Sequence, residues 1–244
     1  MKHGVLFFVF LSFASLSVAE TLEFTFSDFP PFEYTEFGSV AGINKEIVEE
    51  ACRRLGVTPV FTQLPWKRAL KYAKEGRVDA VFSLFKNEER VKYFNFPQEN
   101  LNTVKMVLLT NRESDVEVTC LEDMRGKKVG IYLGSSYGET FDAADQIIKD
   151  PASTNELLLR KQARGRTDLI IIDERVARYW SKKIGMENRF KILSFTVTEE
   201  RTYVAFSKAK ANKNKKNMAD RFSEVFKEMK NDGFIENIYN NYKF

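Results

Sequence analysis

From Leu22 onward the chain switches repeatedly between short runs of strand-like apolar residues and longer runs with helical spacing. Leu22–Phe26, Val57–Gln63, Asp79–Leu84, Lys105–Thr110, Lys128–Tyr132, Leu169–Ile172, Phe190–Leu193 and Tyr203–Ser207 read as strands. Ile43, Ile47, Val48, Ala51 and Leu55 recur at helical spacing, which predicts a helix over 44–55 with Gly56 placed to end it. Further helices are predicted over 66–75, stopped by Gly76, and over 137–148, 155–163 and 174–184. A long amphipathic helix over 218–230 precedes a short terminal one. Such alternation implies an α/β fold with a mostly parallel sheet and helices on both faces.

One pattern occurs twice. "AKEGRVDAVFS" (73–83) and "QARGRTDLIII" (162–172) share a helix end, a Gly-Arg-x-Asp turn and an apolar strand. In each, the glycine stops the helix and the aspartate opens a strand buried on both faces. The repetition suggests two similarly built lobes. "TNRESDVEVTCLEDMRGKKVG" (110–130) is polar and weakly periodic, which fits a lobe boundary near 110–114. A return crossing near Arg201–Tyr203 would let the closing segment rejoin the first lobe. The expected organisation is residues 20–110 with 204–244 in one lobe and 111–203 in the other, joined by a hinge beside a cleft.

The first residues change the picture of where the protein works. Lys2, the apolar run Gly4–Leu16 and the small residues Ser17-Val18-Ala19 form a secretory signal pattern, with cleavage expected after Ala19. The apolar run falls short of the roughly 20 residues of a spanning helix. No cysteine follows the cleavage site to accept a lipid, so the mature protein is expected to be soluble and periplasmic. Cleavage removes one of 38 basic residues and none of 34 acidic ones, leaving 37 − 34 = +3, too slight a charge to imply nucleic acid. The basic run "SKAKANKNKKN" (207–217) reads as a solvated turn before the long helix. The single histidine, His3, leaves with the signal, which excludes His-based triads and typical zinc sites. Cys52 and Cys120 could pair in an oxidising compartment, but spacing alone does not show it.

Six stretches, in order, carry a resemblance: "FSDFPPFEY", "AGINKEIVEEACRRLGV", "GRVDAVFSLFKNEERVKYFNFP", "LEDMRGKKVGIYLGSSYG", "GRTDLIIIDERVARYW" and "YVAFSK…MKNDGFIENIYNNY". Together they resemble the extracytoplasmic solute-binding proteins of family 3, the polar amino-acid type that serves ABC importers. The resemblance implies a type II periplasmic-binding-protein fold, with two α/β lobes closing over a small ligand. It also implies a monomer whose partners are a small amino-acid-like solute and an ABC transporter membrane permease. No catalytic residue, metal or cofactor is implied.

Residue by residue, the resemblance makes Arg90 the cation that grips a ligand carboxylate, for which a guanidinium fork is well shaped. An ion pair with Glu88 or Glu89 is its alternative. Ser135 and Ser136, in "LGSSYG", would offer hydroxyl and backbone N–H donors at a helix start, or simply cap that helix. Asp173 would pair with the ligand amine at the C-terminal end of a central strand, or cap the following helix. Phe29 would wall the ligand side chain from a loop stiffened by Pro30-Pro31, with Asp28 near enough to help with an amine. Phe32 and Tyr34 are assigned to the core and the next turn. Trp66 is a second wall or a core residue.

The segment before Arg90 departs from the family pattern. It reads "SLFKNEER", so Ser83 is followed by Leu84 and Phe85 where a glycine and a hydroxyl residue would help hold a carboxylate. Ser83 stays a candidate, and Lys86 is available to supply the missing interaction. Two other functions remain open: an enzyme of the cyclohexadienyl dehydratase type, with Asp173 as its acid–base group, and a stand-alone periplasmic sensor module.

Overall fold

The computed structural model describes residues 20–210 and 217–242; residues 1–19, where a signal segment is expected, and 211–216, most of the basic run, lie outside the described residues. In chain order, β1 (Glu20–Phe26) leads into a small hairpin, β2 (Tyr34–Glu36) and β3 (Ser39–Ala41). Then follow α1 (Ile43–Leu55), β4 (Val57–Gln63), α2 (Trp66–Lys74), β5 (Ala80–Phe85), a 3-10 turn at Arg90–Lys92 and β6 (Phe94–Asn95). The middle holds β7 (Asn102–Asn111), β8 (Lys128–Tyr132), α3 (Glu139–Asp142), β9 (Ile148–Ala152), α4 (Asn155–Ala163), β10 (Leu169–Asp173) and α5 (Glu174–Lys183). The chain returns through β11 (Phe190–Ser207) to α6 (Met218–Asn231) and α7 (Phe234–Asn241).

The main sheet has the order β4-β1-β5-β11-β7-β10-β8-β9, with β6 added beside β11. Its two flanks are parallel: β1 pairs with β4 and β5, and β8 pairs with β9 and β10. The middle is antiparallel, because β7 and β11 run against each other, against β10 on one side and against β5 on the other. This is the two-lobed periplasmic-binding-protein architecture, each flank being a small parallel sheet with helices packed on it.

The repeated Gly-Arg-x-Asp turn has one geometry in both flanks. Gly76 and Gly165 take left-handed φ values of 73° and 65° after α2 and α4. The next residue closes the helix end, Arg77 N–H donating to Tyr72 O and Arg166 N–H to Lys161 O. Asp79 then donates its N–H to Glu23 O and accepts Glu23 N–H on its carboxylate at 2.8 Å. Asp168 does the same with Lys128, its carboxylate accepting that N–H at 2.7 Å. Each aspartate thereby sets the register of a buried strand against its parallel neighbour.

Three predicted elements differ. The helix expected over 137–148 is only Glu139–Asp142, and the chain then bends into the edge strand β9. Phe141, Ala144 and Ile147 are all buried, so the three-residue apolar spacing is real, but a bent segment meets it as well as a helix does. Pro151 is tolerated in β9 because β9 pairs on one side only. The two strands expected at 190–193 and 203–207 are one strand of 18 residues. The intervening "SFTVTEERT" is polar, yet its backbone is satisfied by β7, with register shifts near Thr196.

A ring cluster joins the first flank to α6. Phe24, buried on β1, lies 6.3 Å from Phe82 and 6.2 Å from Phe222 of α6, and Phe206 sits 4.9 Å from Phe222. Both cysteines are free, with Cys52 buried in α1.

If the aspartate clasps set strand register, Asp79→Ala and Asp168→Ala each lower the free energy of urea unfolding by about 1 kcal/mol. Unchanged midpoints in both variants would assign register to the apolar side chains alone.

Candidate functional site

The aromatic loop after β1 distributes its rings by physical role. Phe26 and Phe32 are fully buried, and Phe29 stacks on Phe32 at 5.2 Å. Tyr34 packs on Tyr179 of α5 at 5.7 Å, and Phe37 stands fully exposed at the hairpin turn. The Pro30–Pro31 peptide is cis, and Phe29 and Glu33 bridge across the turn, Phe29 N–H donating to Glu33 O at 2.8 Å. At Gly42 a β-carbon would collide with the Phe32 carbonyl. Its absence lets Asn44 N–H reach Phe32 O at 2.7 Å, which docks the start of α1 on this loop.

Phe29, Trp66, Ser83, Arg90, Ser135, Ser136 and Asp173 line one cavity that is partly open to solvent. Asp28 does not line it. Burial pushes the Asp28 carboxyl up, and the Lys183 charge opposes that shift. The cavity lies where β5, β7, β8, β10 and β11 approach one another. Trp66 opens α2 and donates its indole N–H to Gly134 O at 3.1 Å, tying α2 to the loop after β8.

Arg90 is 9% exposed and makes no ion pair among the described residues. Its backbone N–H is held by Asn87 Oδ1 and its guanidinium donates to Phe85 O at 3.0 Å. Neither Glu88 nor Glu89 pairs with it, although burial pulls its pKa down and the Glu89 and Asp142 charges pull the other way. A buried guanidinium with unused donors and no counterion is chemically suited to an anion.

Asp173 is the best-satisfied acid of the site. One oxygen accepts the N–H groups of Arg175 and Val176 at 2.9 and 3.2 Å, capping α5, and the other accepts Lys105 N–H at 3.0 Å. Burial still raises its pKa, against the Arg175 charge and those backbone donors. The capping alternative therefore holds, and it leaves acceptor capacity on the oxygen that Lys105 N–H reaches.

Ser135 and Ser136 do not open a long helix, since α3 has four residues. Asp142 instead accepts the Ser136 hydroxyl and the Tyr137 N–H, folding the loop on itself. A helix start does reach the cavity from elsewhere: Asn155, first residue of α4, is 5% exposed and lines it behind the Thr154 cap. Ser83 sits in β5 with φ 62°, a backbone conformation costly for a residue with a β-carbon, and its hydroxyl accepts Asn44 Nδ2 at 2.9 Å.

Several lining residues went unnoticed in the sequence. Glu33, Tyr132, Asn155 and Thr202 all line the cavity, as do the apolar Val104, Met106, Ile171 and Ile172. Tyr132 closes a predicted parallel strand, so the rule that selected Asp173 applied equally to it. Glu33 lay inside the aromatic loop, where the rings drew attention. It is 1% exposed, and burial raises its carboxyl to about 8 despite hydrogen bonds with Ser83 and Asn44.

The model of the bacterial extracellular solute-binding proteins, family 3, matches residues 24–244, and the chain belongs to that family. It is 24% identical over 218 residues to the arginine-binding extracellular protein ArtP of Bacillus subtilis, covering 88% of this chain and 82% of that protein. It is 24% identical to the L-cystine-binding protein TcyJ of Escherichia coli K12, over 85% and 76% of the two chains. Among solved structures, a mutant of ArgBP from T. maritima superposes with TM-score 0.78 at 22% identity, over 91% of this chain and 94% of that one. A histidine kinase sensor domain with similarity to periplasmic binding proteins superposes with TM-score 0.80 at 22% identity, over 91% and 96%. At these identities the structural matches speak for the fold alone.

Because Arg90 is buried without a counterion, Arg90→Met is expected to stabilise the ligand-free protein by about 1 kcal/mol. Scanning calorimetry would read this as a midpoint raised by about 2–4 °C. A fall of similar size would mean that the Phe85 contact outweighs the cost of burying the charge.

Proposed function

We propose that this family 3 solute-binding protein captures a small polar α-amino acid between its lobes and delivers it to the membrane permease of an ABC importer. The observation that carries this reading is the pairing, in one cavity, of a counterion-free buried Arg90 with the carboxylate of Asp173. A ligand carboxylate would complete the guanidinium fork, and the ligand ammonium would take the spare acceptor capacity of Asp173. Ser83, Ser135 and Ser136 would supply neutral hydrogen bonds, while Phe29 and Trp66 would wall the side chain. Asp28 would act through the local field rather than by contact.

Three relatives support an amino acid in general rather than one in particular. ArtP is named for arginine, TcyJ for L-cystine, and a Campylobacter jejuni relative, 21% identical over 222 residues, as a probable histidine-binding protein. These side chains differ while the α-carboxylate and α-ammonium are common to all, which is what Arg90 and Asp173 are suited to read.

We assign residues 20–110 with 204–244 to one lobe and 111–203 to the other, with β7 and β11 as the crossing strands. Ligand would favour closure through contacts that only the closed state makes, so the hinge equilibrium is the mechanism. Residues 1–19 would direct export, placing the mature protein outside the cytoplasm. No acid–base or nucleophilic step is needed, and the protein acts as a binder rather than an enzyme.

Thermal-shift measurement across the twenty proteinogenic amino acids is expected to give a saturable rise in midpoint for one or a few of them. For a responder, Arg90→Ala and Asp173→Ala should each weaken binding by more than about a hundredfold. If no amino acid raises the midpoint, or both variants bind as tightly as the native protein, the reading fails.

A further inference from the structure

A buried chain of polar side chains runs from the cavity to the crossing strands, and none of it is used in the reading above beyond Ser83. Thr202 of β11 donates its hydroxyl to Asn102 Oδ1, and these two residues are cross-strand partners. Asn102 Nδ2 donates to Asn44 Oδ1 at 2.8 Å. Asn44 Nδ2 then divides its two hydrogens between Glu33 Oε2, at 2.7 Å, and Ser83 Oγ, at 2.9 Å. Every link points the same way, from the β7–β11 pair through α1 to the cavity wall. With one end of each amide spoken for by its neighbour, none can flip without breaking two bonds.

The chain ends on a carboxyl group that has no cation. Glu33 is 1% exposed and forms no ion pair among the described residues. Its polar surroundings are the Asn44 amide on α1, the Ser83 hydroxyl on β5, the Asp28 carboxylate on its own loop and the Tyr239 phenol on α7. Arg175 and Asp173 also act on Tyr239, and Arg175 is turned over the Phe32 and Tyr239 rings and bonded to Thr103 O rather than to Glu33. Arg175 lies with Asp173, its Nε 3.9 Å from that carboxylate, so an ionised Glu33 would be a buried charge with no cation of its own.

We propose that Glu33 serves the ligand cavity as an uncharged carboxylic acid, that the Asn44–Asn102–Thr202 chain positions it from the crossing strands, and that its ionisation expels a zwitterionic ligand. The inference rests on the amino-acid reading for its ligand arm only. Burial raises the Glu33 carboxyl to about 8, so the uncharged form is the resident one at neutral pH. Asn44 and Asn102 are positioning residues: they touch the acid or its neighbour, and neither lines the cavity.

The ligand-free test compares chemical unfolding of the native protein and Glu33→Gln across pH. A folded-state carboxyl raised from 4.5 to about 8 holds its proton through that window while the unfolded chain releases it, so native stability falls as pH rises there. Glu33→Gln lacks that loss, and its stability should gain on the native protein steadily from about pH 4.5 to about pH 8. Infrared difference spectra of the native protein read the same event without a variant, as loss of a carboxylic acid carbonyl band with a midpoint near 8. Asn102→Ala should move that midpoint upward, since Asn44 loses the bond that aims its amide at Glu33. In the ligand arm, native affinity for a net-neutral responder of the twenty-amino-acid panel should drop by up to about tenfold per pH unit above the midpoint. Glu33→Gln should show no such drop.

Parallel pH curves for native and Glu33→Gln protein, with no carboxylic acid band at neutral pH, would overturn the proposal. So would native affinity that rises through the midpoint, since that means an ionised Glu33 grips the ligand. An unmoved midpoint in Asn102→Ala would remove the positioning role. If no amino acid binds at all, the functional reading fails while the unfolding and infrared measurements still decide the state of Glu33.

Discussion

The antiparallel pairing of β7 with β11 carries the rest of the molecule. β7 pairs with β11 from Asn102 to Asn111, and β11 continues past it to pair with β5. On the far side β7 pairs with β10. Two parallel sheets, each complete only with its own helices, thereby share two extended segments and a single hydrogen-bonded ladder. Backbone hydrogen bonds do not depend on side-chain polarity, so the polar centre of β11 is held by the apolar β7 as firmly as an apolar one would be.

The cavity beside that ladder is built from groups that are costly without a partner. Arg90 is buried without an anion, Ser83 holds a left-handed backbone in the middle of a strand, and Glu33 is a carboxyl with no cation. Asp173 is the exception, held by three backbone N–H groups that fix its orientation. One well-anchored acid, one unsatisfied base and one strained hydroxyl residue make a site that is preorganised yet incomplete. The local expense is carried by the aromatic core around Phe24, Phe82 and Phe222, which is packed without polar atoms.

Most of the framework was legible in the chain because local rules and the tertiary fold agree there. The glycine-ended helices, the strand β4 and the helix α4 fall where periodicity puts them. The repeated Gly-Arg-x-Asp turn proved to be one hydrogen-bonding device used twice. The segment around α3 was misread because spacing by three among Phe141, Ala144 and Ile147 fits a helix and a bent chain alike; only the Asp142 contacts with Ser136 and Tyr137 decide between them. The polar centre of β11 was missed because its strand character comes from its partner, not from its own residues.

The sequence by itself determined the α/β alternation, the two-fold repetition of the flanking units, the family, and the residue types that could meet a small zwitterion. Those follow from spacing, from turn chemistry and from short stretches read in order. Only the tertiary structure decided which of those residues share a cavity, that Arg90 has no counterion there, and that Asp28 stands outside. It also decided that Glu33, passed over among the rings of its loop, ends a hydrogen-bonded chain reaching Thr202. Burial and pairing are properties of residues far apart in sequence, Glu33 with Asn44, and Asn44 with Asn102. No local pattern encodes whether a charged side chain will find water, a partner or neither.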